Sequence, residues 1–411
     1  MKPADGIGRL PGSRLLSAIR LRDFGVLWLA TASSQLGFGM QQVLLSWLVL
    51  SMTGSEGMVG MLFAVRSAPN LVVGLAAGVL TDRLDRRLIM RLAASGLMLA
   101  SGLMAWLLFV GRLQVWHLLA YAGMLGTLQA LEATARQVYV YDMLGAGGAV
   151  RGIAMISLAQ RASGALGALL AGAAFQWWGP GVSFLVISLS YGAGAGTLYA
   201  LRHRGVAAPA VREPLWQNIR TYGQAWRTNR IMRSLLVSTA TTEILGFSHQ
   251  VMLPILAKEV LQVGAAGLGV LTAFRFIGGM LGVGLLTVCG GMRRQGILLL
   301  GMLGLFGSGL ILLAYASYFW LAVGCVTFVS VMAAVADTLH QTLLQSNVPN
   351  EQRGRAMGSW LVGVGTAPIG HLEIGYLAGF TSARFALSAH GLALILLALL
   401  LAILLPRLRR L

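Results

Sequence analysis

Long apolar runs alternate with short polar or basic segments along the whole chain. Each run has the ~20 residues that a helix needs to cross a bilayer, and the period-two alternation of a membrane barrel is absent. Because lipid offers no partner to free backbone groups, each run is predicted to be a helix. The predicted spans are 24–51, 57–80, 89–110, 114–141, 153–177, 181–201, 233–256, 264–290, 296–315, 319–345, 356–381 and 385–405. The first run is too long for a signal peptide, so we expect a retained helix and an all-α membrane protein with twelve transmembrane helices.

The composition excludes the common soluble classes. Of the 411 residues, 57% are hydrophobic and only 11% are charged, whereas ordinary soluble domains carry about 25% charged residues. The 54 glycines lie within apolar runs without a three-residue period, so neither a collagen-like nor a disordered chain is indicated. The two cysteines, Cys289 and Cys325, also lie in apolar runs and indicate no disulfide framework or metal site.

The net charge of +18 is concentrated between the apolar runs. If the spans alternate in direction, one set of connecting segments carries 24 of the 31 basic residues, and the opposite set carries three, Arg112, Lys258 and Arg384. Basic residues concentrate on the cytoplasmic side of membrane proteins, so both termini are predicted to be cytoplasmic and no nucleic-acid partner is expected. Arginines outnumber lysines 29 to 2, which favours a GC-rich bacterial source and an inner membrane.

The longest polar segment, 202–232, divides the predicted spans into two sets of six. We therefore predict an N-terminal six-helix bundle at 1–201, a cytoplasmic linker at 202–232 and a C-terminal six-helix bundle at 233–411. The basic and aromatic part of the linker is compatible with either an amphipathic helix on the membrane surface or a solvated chain.

Two short matches relate the predicted halves. Gly60–Arg66 aligns with Gly269–Arg275, with four of seven positions identical, and Arg151–Met155 aligns with Arg353–Met357. Together they indicate a duplicated six-helix unit, which is an architecture of transporters built from parallel repeats.

The segment between the second and third spans carries an ordered motif. It reads Gly78-Val79-Leu80-Thr81-Asp82-Arg83-Leu84-Asp85-Arg86-Arg87 and resembles the G-x-L-x-D-R-x-x-R-[RK] loop of the major facilitator superfamily, which has Gly, Asp or Asn where this chain has Asp85. The resemblance covers the whole chain and implies two six-helix bundles around a central cavity. Arg136-Gln137 followed by Asp142 is similar to the drug and siderophore exporter branch that includes the enterobactin exporters.

The same resemblance implies that the motif is a conformational latch formed by Gly78, Asp82, Arg83, Arg86 and Arg87. A glycine permits close helix packing, and Asp82 can accept hydrogen bonds from the N-terminus of span 11 across the domain interface. The alternative is a basic loop that only orients the chain in the membrane.

Ionisable residues inside the spans are the candidate functional groups, because each costs ~2.5–3.5 kcal/mol on insertion scales. Glu243, Asp337 and Glu132 are the predicted proton-coupling residues, since an isolated carboxylate in a low-dielectric cavity can load and release a proton near neutral pH. Each is equally compatible with a buried acid bonded to a neighbouring helix. Glu132 can also pair with Arg136, four residues away.

The remaining candidates are assigned to a cavity and to a contact between the halves. The predicted substrate cavity contains Gln35, Arg136, His249, His340, Gln341 and Arg275. The resemblance places spans 2 and 11 side by side, so Arg66 and Glu373 are predicted to form an inter-domain ion pair with His371 beside it. Arg275 is the repeat counterpart of Arg66 without an obvious acid, and is expected to attract an anionic substrate.

These observations predict a secondary active transporter that works by alternating access and exports a small amphipathic organic molecule, coupled to protons. Metabolite uptake, lipid flipping, and metal-ion export through Asp337, His340 and His371 remain alternatives, as do a channel and a non-transporting sensor. No nucleotide-binding loop or intramembrane protease pattern occurs, so neither an enzyme nor a cofactor is expected. The expected partners are the lipid bilayer, the substrate and the proton, with the chain acting as a monomer.

Overall fold

The computed structural model describes residues 22–203, 230–289, 294–347, 360–404 and Arg409. Within these residues the chain forms helices and no strand, so the all-α prediction is confirmed. Most of the predicted linker, together with the Arg353–Met357 match, lies outside the described residues. Within helical segments, the side chains of 71–83, 146, 230–231 and 287–289 are likewise not described.

The first half begins with three separate helices, α1 (Arg22–Thr53), α2 (Glu56–Arg83) and α3 (Arg86–Phe109). A long helical stretch, Val115–Tyr199, follows and is interrupted by non-helical backbone at Gly145 and Gly179. It therefore comprises α4 (115–144), α5 (146–178) and α6 (180–199).

Single glycines make both of these interruptions. Gly145 has φ 63° and Gly179 has φ 78°, a left-handed conformation that glycine adopts without steric cost. Beyond the first of them, Gly152 lies against Leu144 and Val140, so the chain has reversed direction within a few residues. α4 and α5 are thus an antiparallel pair with almost no connecting loop.

The second half contains an irregular helix followed by five further helical segments. α7 runs from Arg230 to Val260 and includes two π-helical turns, Glu243–Phe247 and Leu256–Val260, on either side of His249–Ile255. The other helices are α8 (Gly264–Cys289), α9 (Gln295–Ala314), α10 (Phe319–Ser346), α11 (a turn at 360–364, then Ala367–Phe380) and α12 (Ala383–Leu404).

Several helices have the dimensions and surface of membrane spans. Seven segments of the described chain are long and apolar enough to cross a bilayer, and every helix overlaps one of the predicted apolar runs. Large apolar side chains are exposed along the outer faces of α3 and α12, for example Leu99, Trp106 and Ile403. An apolar exterior of this extent is suited to lipid.

The halves meet through α2 with α11 and through α5 with α8. Gly60 of α2 lies against His371 and Gly375 of α11, while Gly172 of α5 lies against Ala266 of α8. All of these contacts lie between the centre of the bundle and the end that contains residues 54–55, 261–263 and 381–382, which we call the closed end. We call the opposite end, which contains Arg86, Arg87 and Arg202, the basic end.

Candidate functional site

A polar cavity lies beside α1 in the first half. Its volume is about 280 Å³, and α1, α2, α4, α5 and α6 all contribute to its wall. The lining residues are Ser34, Gln35, Phe38, Asn70, Gln129, Ala130, Glu132, Ala133, Arg136, Gln160 and Tyr191. A second cavity of about 190 Å³ shares Ala133, Arg136 and Gln160 and continues between α4 and α5 toward the basic end. The two cavities form a path that leads from the centre of the bundle toward that end, and Gln35 and Arg136 contribute to its wall.

Glu132 and Arg136 form an ion pair on α4. The Arg136 Nη1 atom lies 2.7 Å from Glu132 Oε1, and both side chains are less than a tenth exposed. Their spacing of four residues places them on one helix face, as the sequence indicates. The charge of Glu132 is therefore compensated by Arg136 of the same helix.

Glu243 and Asp337 are the two acids at the core of the second half. Glu243 begins the first π-helical turn of α7 and is 8% exposed, and its carboxylate makes no hydrogen bond or ion pair with the residues that the structure describes. Asp337 of α10 accepts hydrogen bonds of 3.2 Å from Trp360 and from Gln341. The two carboxylates are close enough to repel each other electrostatically. Isolated π-helical turns inside α-helices often mark functional positions.

Arg161 of α5 reaches across the interface toward these acids. Its guanidinium lies directly over Gly279 of α8, so that a Cβ atom at this glycine would overlap it. Asp337 attracts it electrostatically. A cation from the first half thus lies within electrostatic range of an acid from the second half, without forming an ion pair with it.

Arg66 and Arg275 both lie at the side chain of Gln42 on α1. The Nη2 atom of Arg275 lies 3.3 Å from Gln42 Oε1, and with the amide rotated by 180° the oxygen instead accepts from Arg66 at 3.1 and 3.3 Å. The Arg66 guanidinium stacks 4.7 Å above the Phe38 ring, and that of Arg275 lies 4.8 Å above Phe276.

The predicted ion pair between Arg66 and Glu373 is not formed. Glu373 is 50% exposed, and its carboxylate lies 3.7 Å from His390 of α12. The residue that faces α2 is His371, whose Nδ1 atom lies 3.2 Å from the Ser67 hydroxyl and whose ring packs against Phe63. Because successive helical residues are rotated by about 100°, the residue two positions after His371 points away from α2.

The two predicted cavity histidines lie elsewhere. The Nε2 atom of His340 is 2.8 Å from the Ser238 hydroxyl of α7, and the side chain is fully enclosed. His249 is bonded to the backbone oxygen of Gly246 and packs edge-on against Phe306. Both therefore stabilise packing within the second half and do not line the described cavities. The histidines at 340 and 371 also face different helices, so they do not converge with Asp337 as a metal site would require.

The described part of the basic motif forms a helix cap and two ion pairs within the first half. Asp85 caps α3 by accepting from the Arg87 backbone at 2.9 Å and also binds its guanidinium. This guanidinium holds the pKa of Asp85 below its usual value. Arg86 forms an ion pair with Asp142 of α4. Gly78, Asp82 and Arg83 lie outside the described side chains, so their part of the predicted latch stays a prediction.

Sequence reasoning did not assign a role in the site to several of its residues. Gln42, Phe38 and Phe276 are neutral, and their convergence on two arginines depends on packing between α1, α2 and α8. Asn70, Gln129, Gln160 and Tyr191 also line the cavity. The amide side chains within apolar runs could have indicated a polar site, but the sequence does not show which of these side chains face the cavity.

Comparison with known proteins adds the evolutionary context. The model of a family described as "Transmembrane secretion effector" matches residues 13–410. A staphyloferrin A transporter of Staphylococcus aureus (strain NCTC 8325 / PS 47) is 20% identical over 339 residues, which cover 82% of this chain and 85% of that protein.

Solved structures resemble the fold over nearly all of the chain. A peptide transporter POT in complex with sulfate has a TM-score of 0.76 and 14% identity, covering 98% of this chain and 99% of that one. The nucleoside transporter NupG has a TM-score of 0.73 and 11% identity, covering 93% and 99%. At these identities the likeness concerns the fold alone.

Proposed function

The chain belongs to the transmembrane secretion effector family of the major facilitator superfamily, and we propose that it exports a small amphipathic organic molecule in exchange for protons. The family and the shared fold establish a membrane transporter. The proposal adds twelve spans in two six-helix halves, cytoplasmic termini, alternating access, and residence in a bacterial inner membrane.

The observation that carries the proposal is the one-sided packing of the halves, together with a polar cavity that residues of the first half line. α2 with α11 and α5 with α8 are in backbone contact near the closed end, whereas the polar path leads toward the basic end. The distribution of basic residues supports a cytoplasmic location for the basic end. These observations support an inward-facing state, and export requires a second state in which the closed end opens.

Glu243 and Asp337 are the proposed proton carriers. Desolvation opposes ionisation of a carboxylate that lacks a compensating partner, and Glu243 has no hydrogen-bond or ionic partner among the described residues. Arg161, from the other half, attracts Asp337 electrostatically, although the two side chains do not form an ion pair. Protonation of Asp337 would weaken this attraction, which gives proton binding a physical means of altering the contact between halves.

The direction and the cargo are inferred from the relatives. The description of the family as a secretion effector supports export. The curated relative is named as a siderophore transporter, which supports a siderophore-like or drug-like cargo of similar chemistry. Uptake of such a compound is the alternative, and the transport assay below distinguishes it by direction.

The test is transport by the full chain in everted membrane vesicles from an efflux-deficient bacterial host. Accumulation of siderophore and drug panels is measured with a proton gradient and after its collapse by an ionophore. We expect gradient-dependent accumulation that falls strongly in Glu243→Gln and Asp337→Asn but persists in Glu259→Gln, an exposed acid near the closed end.

Three results would contradict the proposal. Equal flux with and without the gradient would remove proton coupling. Accumulation only in right-side-out vesicles would replace export by uptake, and no flux for any compound would support a non-transporting role.

A further inference from the structure

Two arginines at equivalent positions of the sequence repeat meet at one amide. Arg66 of α2 and Arg275 of α8 end the related segments Gly60–Arg66 and Gly269–Arg275. Each lies within about hydrogen-bond distance of the Gln42 side chain, at 3.1 and 3.3 Å respectively. The duplication has therefore placed one guanidinium from each half at a common point on α1.

One glutamine cannot satisfy both arginines at once. A guanidinium has only donors, whereas a primary amide has one acceptor oxygen and one donor nitrogen. Whichever arginine receives the oxygen, the other faces the NH₂ group. In addition, the Nε atom of Arg275 is buried without a hydrogen-bond partner in the described part of the chain. The site thus has more donors than acceptors.

The positive charge is also uncompensated. Among the described residues, no carboxylate lies within ion-pair distance of Arg66 or Arg275. Glu132 is paired with Arg136, and Glu373 faces His390. The two arginines are close enough to repel each other electrostatically. Keeping two such cations within the bundle is costly unless an anion binds there.

Two aromatic rings connect the arginines. Phe38 and Phe276 pack edge to face with centroids 6.4 Å apart, and each carries one guanidinium above its face. Phe38 also belongs to the wall of the 280 Å³ cavity. Cationic groups thus flank an apolar surface, an arrangement that suits an anion attached to a hydrophobic body.

From this geometry we propose that Arg66 and Arg275 bind a carboxylate of the transported molecule, with its apolar part against Phe38 and Phe276. A carboxylate has two oxygens and can accept from both guanidiniums, which Gln42 cannot. The assignment rests on the proposed transport function and narrows its cargo to organic anions. Since α2 and α8 belong to different halves, the bound group bridges them.

Binding to the purified full-length protein in neutral detergent tests the site directly. The probes are 3-phenylpropionate and its uncharged analogue 3-phenylpropionamide, compared by calorimetry and by thermal unfolding at constant ionic strength. We expect the carboxylate to bind at least about tenfold more tightly than the amide, because hydrogen bonds to charged groups are the stronger ones. This comparison uses the unaltered protein and does not depend on the folding of a variant.

The variants Arg66→Gln and Arg275→Gln should each abolish this preference, while Arg112→Gln, an exposed arginine in the loop before α4, should keep it. Equal binding of both probes to the unaltered protein overturns the site. Stabilisation by phosphate, sulfate and carboxylate alike, in variants and parent, also overturns it, because it indicates general screening. Displacement of the carboxylate by phosphatidylglycerol, with tighter binding of that lipid, would assign the arginines to a lipid phosphate instead.

The transport assay separates this inference from the proposed function. If the parent exports neutral compounds and both arginine variants export carboxylates equally well, the anion site is wrong and the transporter remains. If the parent exports nothing but binds the carboxylate through both arginines, the site stands and the proposed function fails.

Discussion

Replacing Gly60 by alanine should shift the protein away from the conformation described above. A Cβ atom at this position would lie 2.5 Å from the His371 backbone oxygen and 3.1 Å from Gly375 Cα, whereas ordinary contacts begin at 3.4 Å. The nearest obstacle is backbone, so α11 must move away from α2. Overpacking of this kind costs about 1–3 kcal/mol, and because the penalty applies to the state in which the closed end is shut, it favours the state in which that end is open.

The expected population change is roughly 5- to 150-fold, the range that corresponds to 1–3 kcal/mol. Spin labels at Ser51 and Thr381, exposed residues of different halves near the closed end, allow the distance across this end to be measured by double electron–electron resonance. We expect a single short distance for the parent and an additional longer distance for Gly60→Ala.

Gly304→Ala provides a matched control, since a Cβ atom there meets no other atom within 4 Å. It should retain the distance distribution of the parent. An unchanged distribution in a folded Gly60→Ala protein would refute the argument that the α2–α11 contact keeps the closed end shut.

Three smaller contacts give further expectations. Glu132→Gln leaves Arg136 buried without its carboxylate, a change that typically costs about 3–5 kcal/mol; the thermal unfolding temperature should fall clearly and recover in part when both residues are changed to glutamine. Lys258→Ala removes a 3.0 Å bond from its ammonium group to a backbone oxygen of α1, so the same spin-label pair should report a larger open population. Asp85→Asn should flatten the acid limb of the stability–pH curve: Arg87 lowers the Asp85 pKa, so this stabilisation exists above the ordinary carboxyl pKa and is lost as pH falls through the lowered value. The effect should be small because the group is largely solvated, and equal acid sensitivity of the variant and the parent would contradict it.

The sequence predicts the helices well because bilayer thickness and backbone hydrogen bonding leave few choices. It does not predict how the helices connect. The predicted spans ending at 141 and beginning at 153 left a connecting segment, whereas helix continues on both sides of Gly145. Hydropathy detects what lipid covers, and a helix that extends beyond the lipid carries no such signal.

Sequence spacing predicts contacts within one helix, but it does not predict which residues of two different helices face each other. The pairing of Glu132 with Arg136 follows from spacing on one helix. The assignment of Glu373 to Arg66 required the rotation of α11 relative to α2, and that rotation is set by the glycine contacts between them. His371, two residues before Glu373, is therefore the residue that faces α2, and the Glu373 carboxylate faces His390 instead.

The tight turn at Gly145 connects the wall of the polar cavity to the contact between the halves. α4 carries the polar wall at Glu132 and Arg136, and α5 carries the residues that press against α8. With a single residue between these antiparallel rods, there is no spare length to absorb a displacement. When α5 moves relative to α8, α4 must therefore move with it. The shape of the polar cavity then changes together with the interface between the halves.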